Sequence, residues 1–129
     1  MAGQRCDHLR GLAERVVEVI RVDAIWLATQ PLDMRAGADT ALARVVAVFG
    51  AARPHHAYCF TNKRANRMKV LVHDGIGVWL AARRLNRGKF TWASEIHGPQ
   101  VSLDAEQWHA LVLGLRWQHV GQAGTISVL

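Results

Sequence analysis

Acidic residues are scarce in this chain of 129 residues: ten Asp and Glu stand against sixteen Lys and Arg, a formal net charge of +6. Cysteine is scarcer still. Cys6 and Cys59 lie in unrelated contexts with no CxxC pair, so neither a disulfide framework nor a cysteine zinc site can be assembled. They read as free thiols in a reducing compartment. No apolar run reaches the ~18 residues needed for a membrane-spanning helix. Residues 1–20 carry Asp7, Arg10, Glu14, Arg15 and Glu18, which interrupt any apolar segment of signal-peptide type. These absences predict a cytoplasmic protein with no membrane association.

The shortage of acids also bears on chemistry. A metal-dependent nuclease or transposase needs two or three carboxylates converging on a divalent ion. Here Asp33, Asp39, Asp74, Glu95, Asp104 and Glu106 are scattered, and several have a simpler use. Asp33 precedes a helix, Asp74 opens a DG turn, Asp104 caps a helix and Glu106 sits in a first turn, where the helix dipole favours it. The seven histidines, among them His55, His56, His73 and His97, show no His-x-His or HExxH spacing. Ser94 and Ser102 have no evident base, and Gly75 and Gly77 are turn glycines with no helix following to receive a phosphate. No catalytic residue, metal or cofactor is predicted.

What is present is an order of periodic segments. Residues 1–21, with Leu9, Leu12, Val16, Val19 and Ile20 at helical spacing, predict a short helix or an arm. Val22 to Ala28 reads as a strand, and Ala36 to Phe49 as an amphipathic helix stopped by Gly50. From Ala57 to Trp92 the segments AYCFT, RMKVLVH, VWLAARRL and KFTW are separated only by NKRAN, DGIG and NRG, which predicts a four-stranded antiparallel meander. Asp104 with Gln107 three residues on predicts a capped second helix whose apolar stripe is Trp108, Leu111, Val112 and Leu115. The expectation is a single α+β domain over residues 22–117, an antiparallel meander sheet of four to five strands packed with two helices, followed by a tail over residues 118–129.

In such a meander alternate turns lie at the same end, so the turn around Lys63 to Asn66 neighbours that around Asn86 to Gly88. Half of the sixteen cations would then share one rim: Lys63, Arg64, Arg67, Lys69, Arg83, Arg84, Arg87 and Lys89. Charged hairpin ends commonly serve solubility. Against that, no acid lies between Tyr58 and His73 or between Gly75 and Ser94, so neither run carries its own neutralising carboxylate. A nucleic-acid phosphate backbone would supply it, releasing counterions. Phe60, Trp79, Phe90 and Trp92 interleave with the cations and read either as core side chains or as stacking surfaces for unpaired bases.

The string DMRAG at Asp33 to Gly37, with FTNKRANRMKVLVHDGIGVWLAARRLNRGKFTW from Phe60 to Trp92, resembles TnpB, the second-open-reading-frame accessory protein of the IS66 family of bacterial insertion sequences. The similarity runs from about Val22 to Trp117. Asp33, Met34, Arg35 and Gly37 match the family's DMRKG, and Phe60, Lys69, Asp74, Gly75, Gly77, Leu80, Arg84, Leu85, Gly88, Phe90 and Trp92 match its meander. Leu115 and Trp117 match its closing segment. Ala36, Ala38 and His73 depart from the pattern. The resemblance implies a helper of transposition that acts beside a separate, larger transposase, and it supplies no catalytic residue. The expectation is therefore a non-catalytic accessory protein that binds DNA, at element ends or target, through the basic rim. The alternative is a protein-protein adaptor for the transposase without direct DNA binding. Asp33 and Arg35 are expected to be mainly structural, at the strand-to-helix connection.

Overall fold

The run AIWLA forms β1 (Ala24–Ala28), bounded by Asp23 before it and by Gln30-Pro31 after it. A computed structural model, describing residues 21–120, continues with α1 (Ala38–Phe49), β2 (His56–Thr61), β3 (Arg67–His73), β4 (Val78–Arg84), β5 (Gln100–Leu103) and α2 (Ala105–Val112). Short 3₁₀ turns occupy Glu95–His97 and Trp117–His119. Apart from residues 21 and 118–120, the arm and tail expected at the two ends lie outside the described residues.

The fold is α+β, with one five-stranded sheet in the order β4-β3-β2-β1-β5. β2, β3 and β4 form the expected meander, and β3 spans the predicted RMKVLVH. Two expectations are corrected. β1 pairs with β2 in parallel, because α1 carries the chain back across the sheet between them. The segment Lys89 to Trp92 is not a fourth meander strand. The N–H of Phe90 donates to the carbonyl of Ala65 at 2.6 Å, so the chain turns under the end of the β2–β3 hairpin instead of returning along β4. The fifth strand is β5, which pairs antiparallel with β1.

Strand alternation sends side chains to two faces, each covered by a helix. On one face Tyr58, Phe60 and Leu71 pack with Ala41 and Val45 of α1. On the other, Leu27, Cys59 and Val70 pack with Ala110 and Leu111 of α2, and with Phe90 and Trp117. The central β2 is therefore buried along nearly its whole length, as a strand covered on both sides must be. Leu27, Leu71 and Leu111 have no exposed surface, and each such side chain stabilises the fold by about 1.5–3 kcal/mol.

Both helix ends are built as their sequences indicate. Gly50 takes φ +87° and its N–H donates to Val46 O, which closes α1. Asp104 accepts from the N–H of Gln107 at 2.8 Å, while its own N–H donates to Gln107 Oε1 at 3.0 Å, a reciprocal capping box. α2 stops at Val112, so Leu115, expected as the last residue of its apolar stripe, lies beyond the helix and is 55% exposed. Among the described residues no helix is long and apolar enough to cross a membrane.

Candidate nucleic-acid interface

The β2–β3 turn, NKRAN, is stapled by its two asparagines. Asn62 Oδ1 accepts from the N–H groups of Asn66 and Arg67 at 3.1 and 3.0 Å, and Asn62 Nδ2 donates to Asn66 Oδ1 at 2.7 Å. Ala65 sits in the left-handed region at φ +56°, where a side chain adds strain, and its carbonyl is fixed by Phe90. The turn thus holds its form without using Lys63 or Arg64, which stand exposed at its tip.

The second basic run is tied to the first through the backbone: Leu85 N–H donates to Asn66 O at 2.9 Å, beside the Phe90–Ala65 bond. Gly88, at φ +77°, makes the reversal between these two anchors. The two runs therefore share one end of the sheet. Lys63, Arg64, Arg67, Arg84, Arg87 and Lys89 are exposed there, and among the described residues none of them forms an ion pair. Arg67 faces Arg84 across the β3–β4 ladder. Because Leu85 bonds Asn66 one step away, the Arg67–Arg84 pair falls at a non-hydrogen-bonded position, where Cα atoms approach to about 4.5 Å and side chains are closest.

The other two predicted rim cations are bound to the fold. Lys69 is half-buried and its Nζ donates to Ala36 O at 2.7 Å, fastening β3 to the loop before α1. On the α2 face of the sheet, Arg83 Nε donates to Val112 O at 2.7 Å and so satisfies the last carbonyl of α2.

One cation at this end lies outside both predicted runs. The N–H of Leu32 donates to the carbonyl of Thr61 at 2.8 Å, which brings the PLDMRAG loop beside the β2–β3 turn. The Arg35 side chain is 92% exposed there and pairs with Asp33, Nη2 to Oδ2, at 2.8 Å. Asp33 Oδ1 also accepts from the Arg35 N–H at 2.9 Å. The Arg35 side-chain bonds, then its backbone N–H, hold the Asp33 carboxyl down at about 2, with a smaller contribution from Lys69. The pair is a local turn and joins no two elements. Its signal in the sequence was the DMRAG string itself, which does not say which end of the sheet receives it.

The far end of the sheet is built differently. Asp74 Oδ1 accepts from the N–H groups of Ile76 and Gly77, and Oδ2 accepts from Trp79 Nε1 at 2.9 Å. Those bonds, the Gly77 one foremost, lower its carboxyl to about 2. Along β3 this turn is about 20 Å from Arg67. The aromatics also separate. Phe60 and Phe90 are core, Trp92 Nε1 donates to Ala28 O at 2.8 Å, and the half-exposed Trp79 belongs to the Asp74 end. They provide no stacking platform at the rim. Among the described residues no group of three or more His, Cys, Asp or Glu side chains is placed to hold a metal.

The profile of the family described as IS66 Orf2 like protein matches residues 23–122, a span that includes the rim, the PLDMRAG loop and both helices. In Sinorhizobium fredii (strain NBRC 101917 / NGR234), the uncharacterized protein y4hO is 31% identical over 96 residues, 74% of this chain and 83% of that protein. The uncharacterized protein y4jC of the same strain is 34% identical over 101 residues, 74% of this chain and 82% of that protein. No solved structure gives a significant match.

Proposed function

The chain belongs to the IS66 Orf2-like family of insertion-sequence accessory proteins, and from that premise we propose that it grips duplex DNA by its phosphates during transposition and leaves strand cleavage and joining to a separate transposase. The observation that carries this reading is the Arg67–Arg84 pair with Lys63, Arg64, Arg87 and Lys89 around it, all exposed and none ion-paired within the described chain. Like charges opposed across a sheet destabilise it. A polyanion seated on them removes that penalty and releases its own counterions.

Phosphate contact fits better than base stacking, because the aromatics near the rim are buried or already hydrogen-bonded. The acids have local work: Asp33 holds Arg35, Asp74 holds its turn and Asp104 caps α2. The test is fluorescence anisotropy of the full chain with element-end and unrelated duplexes over a range of salt. The expected log–log slope approaches about −0.9 for each phosphate neutralised. Salt-independent binding, or none, sinks the proposal.

An adaptor role is favoured by a different observation. Leu113 and Leu115 are about half exposed beside the Arg83–Val112 contact. Capture of purified transposase that survives high salt and disappears in Leu113→Ser, Leu115→Ser protein would support that reading instead.

A further inference from the structure

β4 is an edge strand, and among the described residues nothing pairs with its outer side. Which of its backbone groups face outward follows from the ladder. Asp74 N–H bonds Gly77 O, and Leu85 N–H bonds Asn66 O, so the bonded positions alternate and Trp79, Ala81 and Arg83 turn their N–H and C=O groups toward β3. Val78, Leu80, Ala82 and Arg84 turn theirs outward.

We propose that β4 pairs antiparallel with β4 of a second copy, on a two-fold axis through Ala81, to give a continuous ten-stranded sheet. This register alone matches all four outward-facing residues of each copy: Val78 with Arg84 and Leu80 with Ala82, in both directions. Slipping by two residues loses a pair. Charge fits the same arrangement. A parallel pairing would set arginine beside arginine, whereas here Arg84 lies against Val78 and Arg83 against the exposed Trp79, whose ring face attracts a cation. The axis falls at Ala81, an exposed residue small enough for two chains to meet. Unpaired edges recruit strands in this way, and closed two-fold symmetry leaves no further β4 edge for growth. The two basic ends would then point in opposite directions, with the Arg84 positions about 20 Å apart along the strands.

The test does not depend on DNA binding. Sedimentation equilibrium of the full chain is expected to show a dimer. In a Cys6→Ser background, Ala81→Cys is expected to form a covalent dimer with oxidised glutathione, since non-bonded antiparallel partners approach to about 4.5 Å. Ala82→Cys, with a diagonal separation of about 7–8 Å, is expected not to. Ala82→Pro removes an outward N–H that the chain's own sheet does not use, so it should give monomer with unchanged circular dichroism. If that variant fails to fold, Ala81→Glu, which opposes two carboxylates on the axis, should also abolish the dimer. A wild-type monomer up to millimolar concentration overturns the proposal. So does a dimer that cross-links better at position 82 than at 81, or one that persists in folded Ala82→Pro or Ala81→Glu protein.

Discussion

Arg67 and Arg84 stand directly opposite one another across the β3–β4 ladder with no carboxylate between them. A pair of like charges at such a position destabilises an antiparallel sheet, by an amount in the range of about 0.2–1 kcal/mol for cross-strand pairs. Replacing Arg84 with Glu should therefore raise stability by roughly that amount, because Arg67 gains a partner. Duplex affinity should fall in the same variant. Chemical denaturation and anisotropy on one sample check both signs, and a stabilised variant with undiminished affinity would remove the pair from the interface.

The four arginines at the exposed end make a broader case. Changing Arg64, Arg67, Arg84 and Arg87 to Ala should weaken binding to element-end and unrelated duplexes alike, since phosphate contacts carry no base information. The salt slope should become shallower, by up to about 0.9 for each phosphate that is no longer neutralised. Melting should change little, because none of the four side chains makes a hydrogen bond within the described chain. A large fall in melting temperature would show that the end is structural.

Lys69 behaves otherwise. Its ammonium is bonded to the Ala36 carbonyl, so Lys69→Met leaves a part-buried acceptor without its donor. The expected loss is about 1–3 kcal/mol. The salt slope should stay near that of the wild type. Equal effects on stability and slope would mean that Lys69 also reaches phosphate.

Acid titration tests the turn at the far end of the sheet. The Asp74 carboxyl, ordinarily near 3.8, is held at about 2 by the Gly77 and Ile76 N–H groups and by Trp79. A depressed folded pKa contributes stability above the unfolded value, and that contribution is lost as pH falls through the folded one. Denaturation midpoints should therefore drop between pH 3.8 and about 2. Asp74→Asn should flatten part of that drop while lowering stability at neutral pH. An unchanged acid limb would show that the turn does not need the carboxylate.

Much of this was legible in the residues, for definable reasons. RMKVLVH and its turns specify β3 because its apolar positions are flanked by Asn and Asp-Gly chemistry that only tight reversals satisfy. Asp104 and Gln107 specify the start of α2 through their own side chains. What failed depended on distant partners. Phe90 and Trp92 alternate as strand residues do, but Phe90 is drawn into the α2 face, Trp92 bonds Ala28 and Trp117 bonds Thr91. β5 has four residues, of which only Leu103 is buried, so it carries almost no periodic signal of its own. The convergence of the basic runs followed from turn parity alone. That Lys69 and Arg83 point at carbonyls, and that the PLDMRAG loop joins the same end, needed the parallel β1–β2 pairing and the placement of the helices.

The Asp33–Arg35 pair gives the sharpest separation of charge from structure. Asp33 is an acid beside a cationic end, and its carboxylate is bonded to Arg35, two residues away. Exposed ion pairs contribute little to stability, so neither Asp33→Asn nor Arg35→Ala should shift melting by more than a degree or two for a domain of this size. Their effects on DNA should be opposite. Asp33→Asn removes a negative charge from the end and frees the Arg35 guanidinium, which raises affinity and steepens the salt slope by up to about 0.9. Arg35→Ala leaves the Asp33 carboxylate unopposed, which lowers affinity. In the double variant the carboxylate is gone and Arg35 has nothing to contribute, so affinity should fall between the two. Opposite signs with unchanged melting would place the loop within the field felt by bound phosphate. The same sign in both, or a matching loss of melting temperature, would show that the pair acts on the fold and that the phosphate path runs elsewhere.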